Sequence, residues 1–224
     1  SFSWAKPDER TPERKLDLTS VTVLNLRPTQ LAVGMAEVDK RVSRLGQFSV
    51  ADFVKYEERK PVRVIKGPEG ELYIVDGHHL TMVAWLLGIE VVKVEIVADW
   101  SRYAKKDFWK KMIAEQKVYL YDENGKGPLP VSSLPKDITG LKDDPYRSLS
   151  YEVREAGGYE KTATTPYSEF YWANFFRERV KMWHDKSSYK KAIAEALSWA
   201  ESKKARELPG FMSKCARRLQ PKAG

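Results

Sequence analysis

The sequence predicts an α/β (α+β) fold, a small mixed-sheet core followed by a C-terminal helical extension. Three observations carry this. Residues 62–97 contain three short runs that alternate apolar and polar side chains, as half-buried strands do. Glycine and proline separate the first two runs, as in a hairpin. From Ser101 onward the period changes from two to 3.6, and helical patterns take over.

Residues 1–18 are polar and punctuated by proline, the composition of a surface arm. Residues 21–26 are apolar and read as a strand. Arg27-Pro28-Thr29-Gln30 ends it, because proline cannot donate to a sheet ladder. Residues 31–34 follow as a loop. Met35, Val38, Val42 and Leu45 then recur at helical spacing, with Gly46 as the stop. The polar face of that helix carries Lys40, Arg41 and Arg44. A short helix is expected over 50–58, before Pro61. Residues 62–65 and 71–75 form a hairpin around Lys66-Gly67-Pro68-Glu69-Gly70. Leu80, Val83, Ala84 and Leu87 mark the next helix, which Gly88 ends, and residues 90–97 alternate as a further strand. The core therefore spans 19–100.

Beyond it, 103–118 reads as a helix with Phe108, Met112 and Ile113 inward. Residues 122–130, with Asn124-Gly125 and two prolines, form a loop. Asp143-Asp144-Pro145 starts a helix with proline at the favoured first position, running through Leu149 and Val153 to Gly157-Gly158. A helix over 167–183 carries the stripe Trp172, Phe176, Val180 and Trp183. Another over 187–206 turns Tyr189, Ile193, Leu197 and Ala200 inward, and Leu208-Pro209-Gly210 closes it. The helical extension is thus 101–210, packed on the core, and 211–224 is a basic tail. The aromatic run 170–176 is read as core rather than as a base-stacking platform.

At 224 residues the chain is long enough to bury a real core. A hydrophobic content of 42% and a mean hydropathy of −0.54 predict a soluble globular protein. No apolar run is long enough to span a bilayer. The opening residues lack the apolar stretch of a secretory signal, so a cytoplasmic location is expected, with export after signal removal as the alternative. The single cysteine, Cys215, excludes an intramolecular disulfide. Net charge is +8, from 39 basic and 31 acidic residues, which suits anionic partners. The charges are well mixed, so pairs such as Lys105-Lys106 and Arg217-Arg218 read as solvated faces before they read as a nucleic-acid arm.

The chemistry concentrates at Asp76-Gly77-His78-His79-Leu80-Thr81, a strand end, a tight turn and a helix start. A helix N-terminus has unpaired N–H groups and a positive dipole end, which attract anions. Gly77 permits close approach, and Gly77, His78, His79 and Thr81 are the expected phosphate or nucleotide contacts. Asp76 is the expected base or Mg²⁺-organising carboxylate, able also to cap the helix, and His79 is its catalytic companion. A histidine near neutrality also suits a proton shuttle. A metal site made of both histidines is not expected, since adjacent side chains diverge and His184 lies far along the chain. Arg27, Gln30 and Lys40, with Arg41 beside them, are expected on the substrate side. Arg147 of the extension either closes over a phosphate or pairs with Glu169.

Four segments together resemble the ParB-like nuclease family of the ParB/sulfiredoxin superfamily. They are Leu26-Arg-Pro-Thr-Gln30 with Val33-Gly34, Asp76-Gly-His-His79, Asp143-Asp-Pro-Tyr-Arg-Ser-Leu149, and Gly157-Gly-Tyr159 followed by Glu169-Phe-Tyr-Trp-Ala173 and Phe176-Arg177. The resemblance covers roughly residues 20–185. It implies a ParB/sulfiredoxin-like core and a family-specific helical extension. Relatives in the superfamily, among them sulfiredoxins, CTP-binding partition proteins and free-serine kinases, bind nucleotides on the equivalent turn. Sulfiredoxins carry a catalytic cysteine there, where this chain has His78 and His79. The serine kinases use a glutamate after the first strand, where this chain has Gln30, which cannot act as a base.

The reading that follows is a protein binding a nucleotide (ATP, ADP or CTP, with Mg²⁺) or another small phosphate-bearing anion at the Asp76 turn. As an enzyme it would be a phosphotransferase or phosphohydrolase. The alternatives are nucleic-acid binding with nuclease activity, and a non-catalytic binding protein of the same fold.

Overall fold

The computed structural model describes residues 17–213. Residues 1–16 of the arm expected over 1–18, Cys215 and most of the basic tail lie outside them, and Leu18 already belongs to the first strand. Five strands form one curled sheet in the order β1-β6-β4-β5-β2. These are β1 (Leu18–Thr22), β2 (Leu26–Arg27), β4 (Val62–Lys66), β5 (Leu72–Asp76) and β6 (Val91–Asp99). β4 and β5 are the expected antiparallel hairpin, while β4–β6 and β2–β5 are parallel, so the sheet is mixed.

The segment expected as one strand over 21–26 is instead two. β1 pairs with β6, a 3₁₀ turn at Val23–Asn25 intervenes, and β2 pairs with β5. The chain thereby passes from one edge of the sheet to the other. Val23 and Leu26 are buried on the way, so a mostly apolar run conceals the turn.

Period two sorts the side chains onto two faces. Val62, Val64, Ile74, Val92 and Val94 join the core beneath α1 (Met35–Leu45), α2 (Val50–Arg59) and α3 (His78–Leu86). Ile65, Tyr73, Val75 and Val97 face the other way, against α4 (Lys105–Ala114). Phe108 and Met112 are buried there as expected, but Ile113 is 52% exposed. It sits one step past the buried stripe of α4, on the rim of a hollow described below.

The third core belongs to α5 (Pro145–Glu155), α6 (Ser168–Arg177) and α7 (Lys186–Ala200). Asp144 caps α5, accepting from the N–H groups of Tyr146 at 3.0 Å and Arg147 at 3.2 Å. α6 stops short of the expected 183. The Tyr146 hydroxyl donates to the Val180 carbonyl at 2.7 Å, and Trp183 stacks on Tyr189 rather than continuing the helical stripe. Phe170, Trp172, Phe175 and Phe176 are buried, so the aromatic run is core, apart from Tyr171 at 44% exposure.

Extension and core are tied together near α1. The expected loop 31–34 contains β3 (Ala32–Val33), which pairs in parallel with β7 (Lys142–Asp143). Asp143 accepts the Met35 N–H at 2.9 Å, and Ser148 accepts the Glu37 N–H at 3.3 Å. Two residues of the extension thus satisfy the open N-terminus of α1. No helix among the described residues is long and apolar enough to cross a membrane.

Candidate functional site

β5 delivers Asp76 to the end of the sheet, and Gly77 turns the chain into α3. Gly77 has φ 108°, and a Cβ there would meet Val62 at 3.2 Å. Left-handed backbone with a strand alongside leaves only glycine comfortable. The first intrahelical bond runs from the Thr81 N–H to the Gly77 carbonyl at 2.9 Å. The N–H groups of His78, His79 and Leu80 precede it and have no hydrogen-bond partner among the described residues. Asp76 does not cap the helix; its carboxylate is exposed and makes no hydrogen bond or ion pair there. Thr81 is buried, its hydroxyl donating to the Gly77 carbonyl at 2.9 Å.

The turn lines a cleft of about 610 Å³, within the range of small-molecule sites. One wall is the turn, with Gln30 beside it. The opposite wall comes from the extension, through Arg147, Arg154, Glu169 and residues 161–170. Arg63, Lys117 and Lys161 also line it, and the last two form no salt bridge among the described residues.

The histidine rings brace the loops beneath this cleft. His78 is buried, and its Nε2 accepts the Thr29 N–H at 3.0 Å. His79 Nε2 accepts the Gly34 N–H at 3.1 Å. These bonds place the remaining ring proton on Nδ1 in each case. Burial pushes both imidazoles down to about 3, and for His79 this outweighs the attraction of Glu37. The expected proton shuttle near neutrality is therefore not met, because both rings are neutral there. The 3.4 Å approach of His79 to Glu37 is an ion pair only when the ring is protonated, so the Gly34 bond is the one that operates at neutral pH.

Glu37 is the residue sequence reasoning missed. It is 1% exposed in the middle of the charged cluster. Arg147 donates to one of its oxygens at 3.0 Å and Arg41 to the other at 2.6 Å. Burial opposes its ionisation, but His79, Arg147 and Arg41 hold the carboxyl down at about 2. With His79 neutral, the two guanidiniums do that work at neutral pH. Arg147 thus pairs with Glu37, and Glu169 pairs with Arg154 rather than with Arg147. The Glu169 carboxyl, though burial pushes it up, is held below its usual range by Arg147 and Arg154. The Nε atoms of Arg41 and Arg147 are buried without a partner.

Of the expected substrate-side residues, Gln30 and Arg147 line the cleft, and Arg41 joins them. The Gln30 side chain donates to the Ala32 carbonyl at 2.7 Å, which leaves its oxygen open among the described residues. Arg27 and Lys40 are not in the cleft wall. Arg27 pairs with Glu71 at 2.6 Å and donates to the Lys136 carbonyl at 2.9 Å, and Lys40 pairs with Glu152 at 3.1 Å. Arg154, Lys117, Lys161 and Tyr167 are further lining residues that sequence patterns gave no reason to select.

A curled mixed sheet ending in a strand–turn–helix, closed by a helical extension, is the architecture of a ParB-like protein. The family described as "Putative ParB-like nuclease" matches residues 19–178, and the chain belongs to it. Among solved structures, protein Atu1540 from Agrobacterium tumefaciens is similar, with 36% identity and a TM-score of 0.79 over 88% of this chain and 98% of that one. Nothing among curated proteins matches.

Proposed function

We propose that this chain binds the phosphate of a nucleotide or nucleic-acid ligand over the N-terminus of α3 and performs phosphoester chemistry there. The observation that carries the reading is the pairing of three open N–H groups with the unpartnered Asp76 carboxylate in one cationic cleft. The N–H groups suit phosphate oxygens, and Lys117, Lys161 and Arg63 add positive charge around them. Asp76 is the acting carboxylate, as a base or as the ligand of a phosphate-bound Mg²⁺. Among the described residues no group of three or more His, Cys, Asp or Glu assembles as a metal cage. A Mg²⁺ would therefore come with its phosphate, as this ion commonly does. His78 and His79 contribute through their N–H groups and by holding the Thr29 and Gly34 loops.

The family's name and the +8 charge favour a nucleic-acid phosphodiester over a small phosphate acceptor. A panel of ATP, ADP, CTP and short DNA and RNA oligonucleotides, with and without Mg²⁺, tests the reading by thermal shift. A ligand bound at one hundred times its Kd stabilises by about 2.7 kcal/mol. Asp76→Asn is expected to keep phosphate binding and to lose any turnover by at least about 100-fold, the scale of general acid–base catalysis. A wild-type protein unmoved by every member of the panel would overturn the proposal.

A further inference from the structure

A second hollow of about 440 Å³ opens beside the cleft. The two share Gln116, Pro166 and Tyr167 in their walls. The second is different in kind. Its floor is Tyr119, buried face to face on Phe170 with ring centroids 4.3 Å apart. Tyr121 and Tyr167 flank that ring at 4.9 and 5.2 Å. Tyr171 and Ile113 leave 44% and 52% of themselves uncovered on the same hollow, although they come from different helices. Each neighbours a buried residue of the same helix, so this is apolar surface left open at one concavity. The side-chain amides of Asn174 and Gln116 stand on its edge.

The junction between the hollows is held in costly backbone. Three non-glycine residues among those described have positive φ, and two of them, Gln116 at 52° and Tyr167 at 58°, are shared by both walls. A bulky residue in that region is strained and persists only where the surrounding structure over-determines it. Here it sets the Tyr167 ring between the tyrosine hollow and the phosphate cleft. Burial raises the Tyr167 phenol above its usual range, and Asp76 adds to that effect, so its hydroxyl stays neutral beside the turn.

We infer that the tyrosine hollow receives the planar base of a nucleotide whose phosphate lies in the cleft. The aromatic walls supply stacking, which any base accepts. The Gln116 amide offers a donor and an acceptor to a base edge, and Asn174, whose Nδ2 donates to the Tyr119 hydroxyl at 3.3 Å and whose oxygen accepts from Arg177 at 3.5 Å, keeps one further N–H. This deepens the function proposed above and rests on it for the phosphate end.

The intact chain tests it by calorimetry and by saturation-transfer NMR. The ligands are a nucleoside 5′-monophosphate, the corresponding nucleoside, ribose 5-phosphate and inorganic pyrophosphate. The nucleotide is expected to bind more tightly than ribose 5-phosphate, with saturation transfer to the base protons. Tyr171→Ala, at an exposed position, is expected to weaken the nucleotide roughly 5- to 150-fold, the span of one base stack. The same variant should leave pyrophosphate and ribose 5-phosphate unchanged. Nucleotide and ribose 5-phosphate binding equally well, or Tyr171→Ala weakening all ligands alike or none, would overturn the inference while the phosphate reading stood. If pyrophosphate and ribose 5-phosphate bind nowhere but the nucleoside does, the base site stands and the phosphate reading falls. Binding of none of the four would remove both.

Discussion

Glu37 shows how much of this protein turns on single charges. A buried carboxylate is tolerated because Arg147 and Arg41 each satisfy one of its oxygens. Removing Arg147 leaves one buried oxygen unpaired with only Arg41 to offset the charge, and breaking a buried pair in this way costs up to about 3–5 kcal/mol. Arg147→Met should therefore lower the urea midpoint by that equivalent, and adding Glu37→Gln should restore much of the loss. A full loss that the second substitution cannot relieve would mean Arg147 acts through packing alone. The sequence offered no local sign of this pair. Glu37 lies beside the apolar stripe of α1 and reads as solvated, and its partner is 110 positions away. Asp76 was legible for the opposite reason. Its neighbours along the chain, Gly77 and the start of α3, are also its neighbours in space. Its histidines were legible as members of the turn, but neither their burial nor their use as acceptors for Thr29 and Gly34 was.

At the scale of elements, close approaches set the geometry of the cleft. Gly77→Ala would put a Cβ against Val62 in left-handed backbone, so a loss of roughly 1–3 kcal/mol is expected in thermal unfolding. Gly34 is a sharper case. A Cβ there would lie 2.5 Å from the Ser148 hydroxyl and 2.7 Å from the Ser148 backbone nitrogen. Gly34→Ala must push α5 away from α1, and with it Arg147. We expect a loss of about 1–3 kcal/mol from overpacking, together with weaker ligand binding in the thermal-shift panel. Unaltered binding would show that the wall formed by α5 is not needed. Most elements were readable from period and punctuation, including α1, the hairpin and the capped start of α5. The misses have local causes. A 3₁₀ turn hides at 23–25 within a mostly apolar run, and beyond Arg177, where α6 ends, the hydroxyl of Tyr146, far away in sequence, fixes the Val180 carbonyl.

For the whole molecule, buried titrating groups predict the response to acid. His78 and His79 are neutral in the fold, at about 3, whereas an unfolded chain protonates them near 6.5. The unfolded state thus binds more protons below about pH 6.5, and stability falls as pH falls, by about 1.4 kcal/mol per pH unit for each proton. Glu57 opposes them. Burial pushes it up to about 7 from 4.5, so between those values the fold holds a proton that the unfolded chain lacks. Between about pH 6.5 and 4.5 these three groups together contribute close to one proton. Below 4.5 Glu57 no longer offsets, and Glu37, held at about 2, adds a third proton taken up on unfolding. Unfolding free energies measured from pH 7 to 4 should show a shallow limb and then a steep one. Glu57→Gln should steepen the upper limb by about one proton, and an unchanged limb would show that Glu57 titrates normally.

The Glu37–Arg147 pair also bears on the order in which the chain is made. All five strands of the curled sheet precede residue 100, so the α/β half leaves the ribosome first. At that moment Glu37 has Arg41 but not Arg147, and the Met35 and Glu37 N–H groups lack Asp143 and Ser148. Roughly fifty further residues must emerge before α1 finds its partners. The nascent half-protein must therefore leave the N-terminus of α1 open to water until the extension arrives, and the cleft between them closes only once residues 143–170 have emerged.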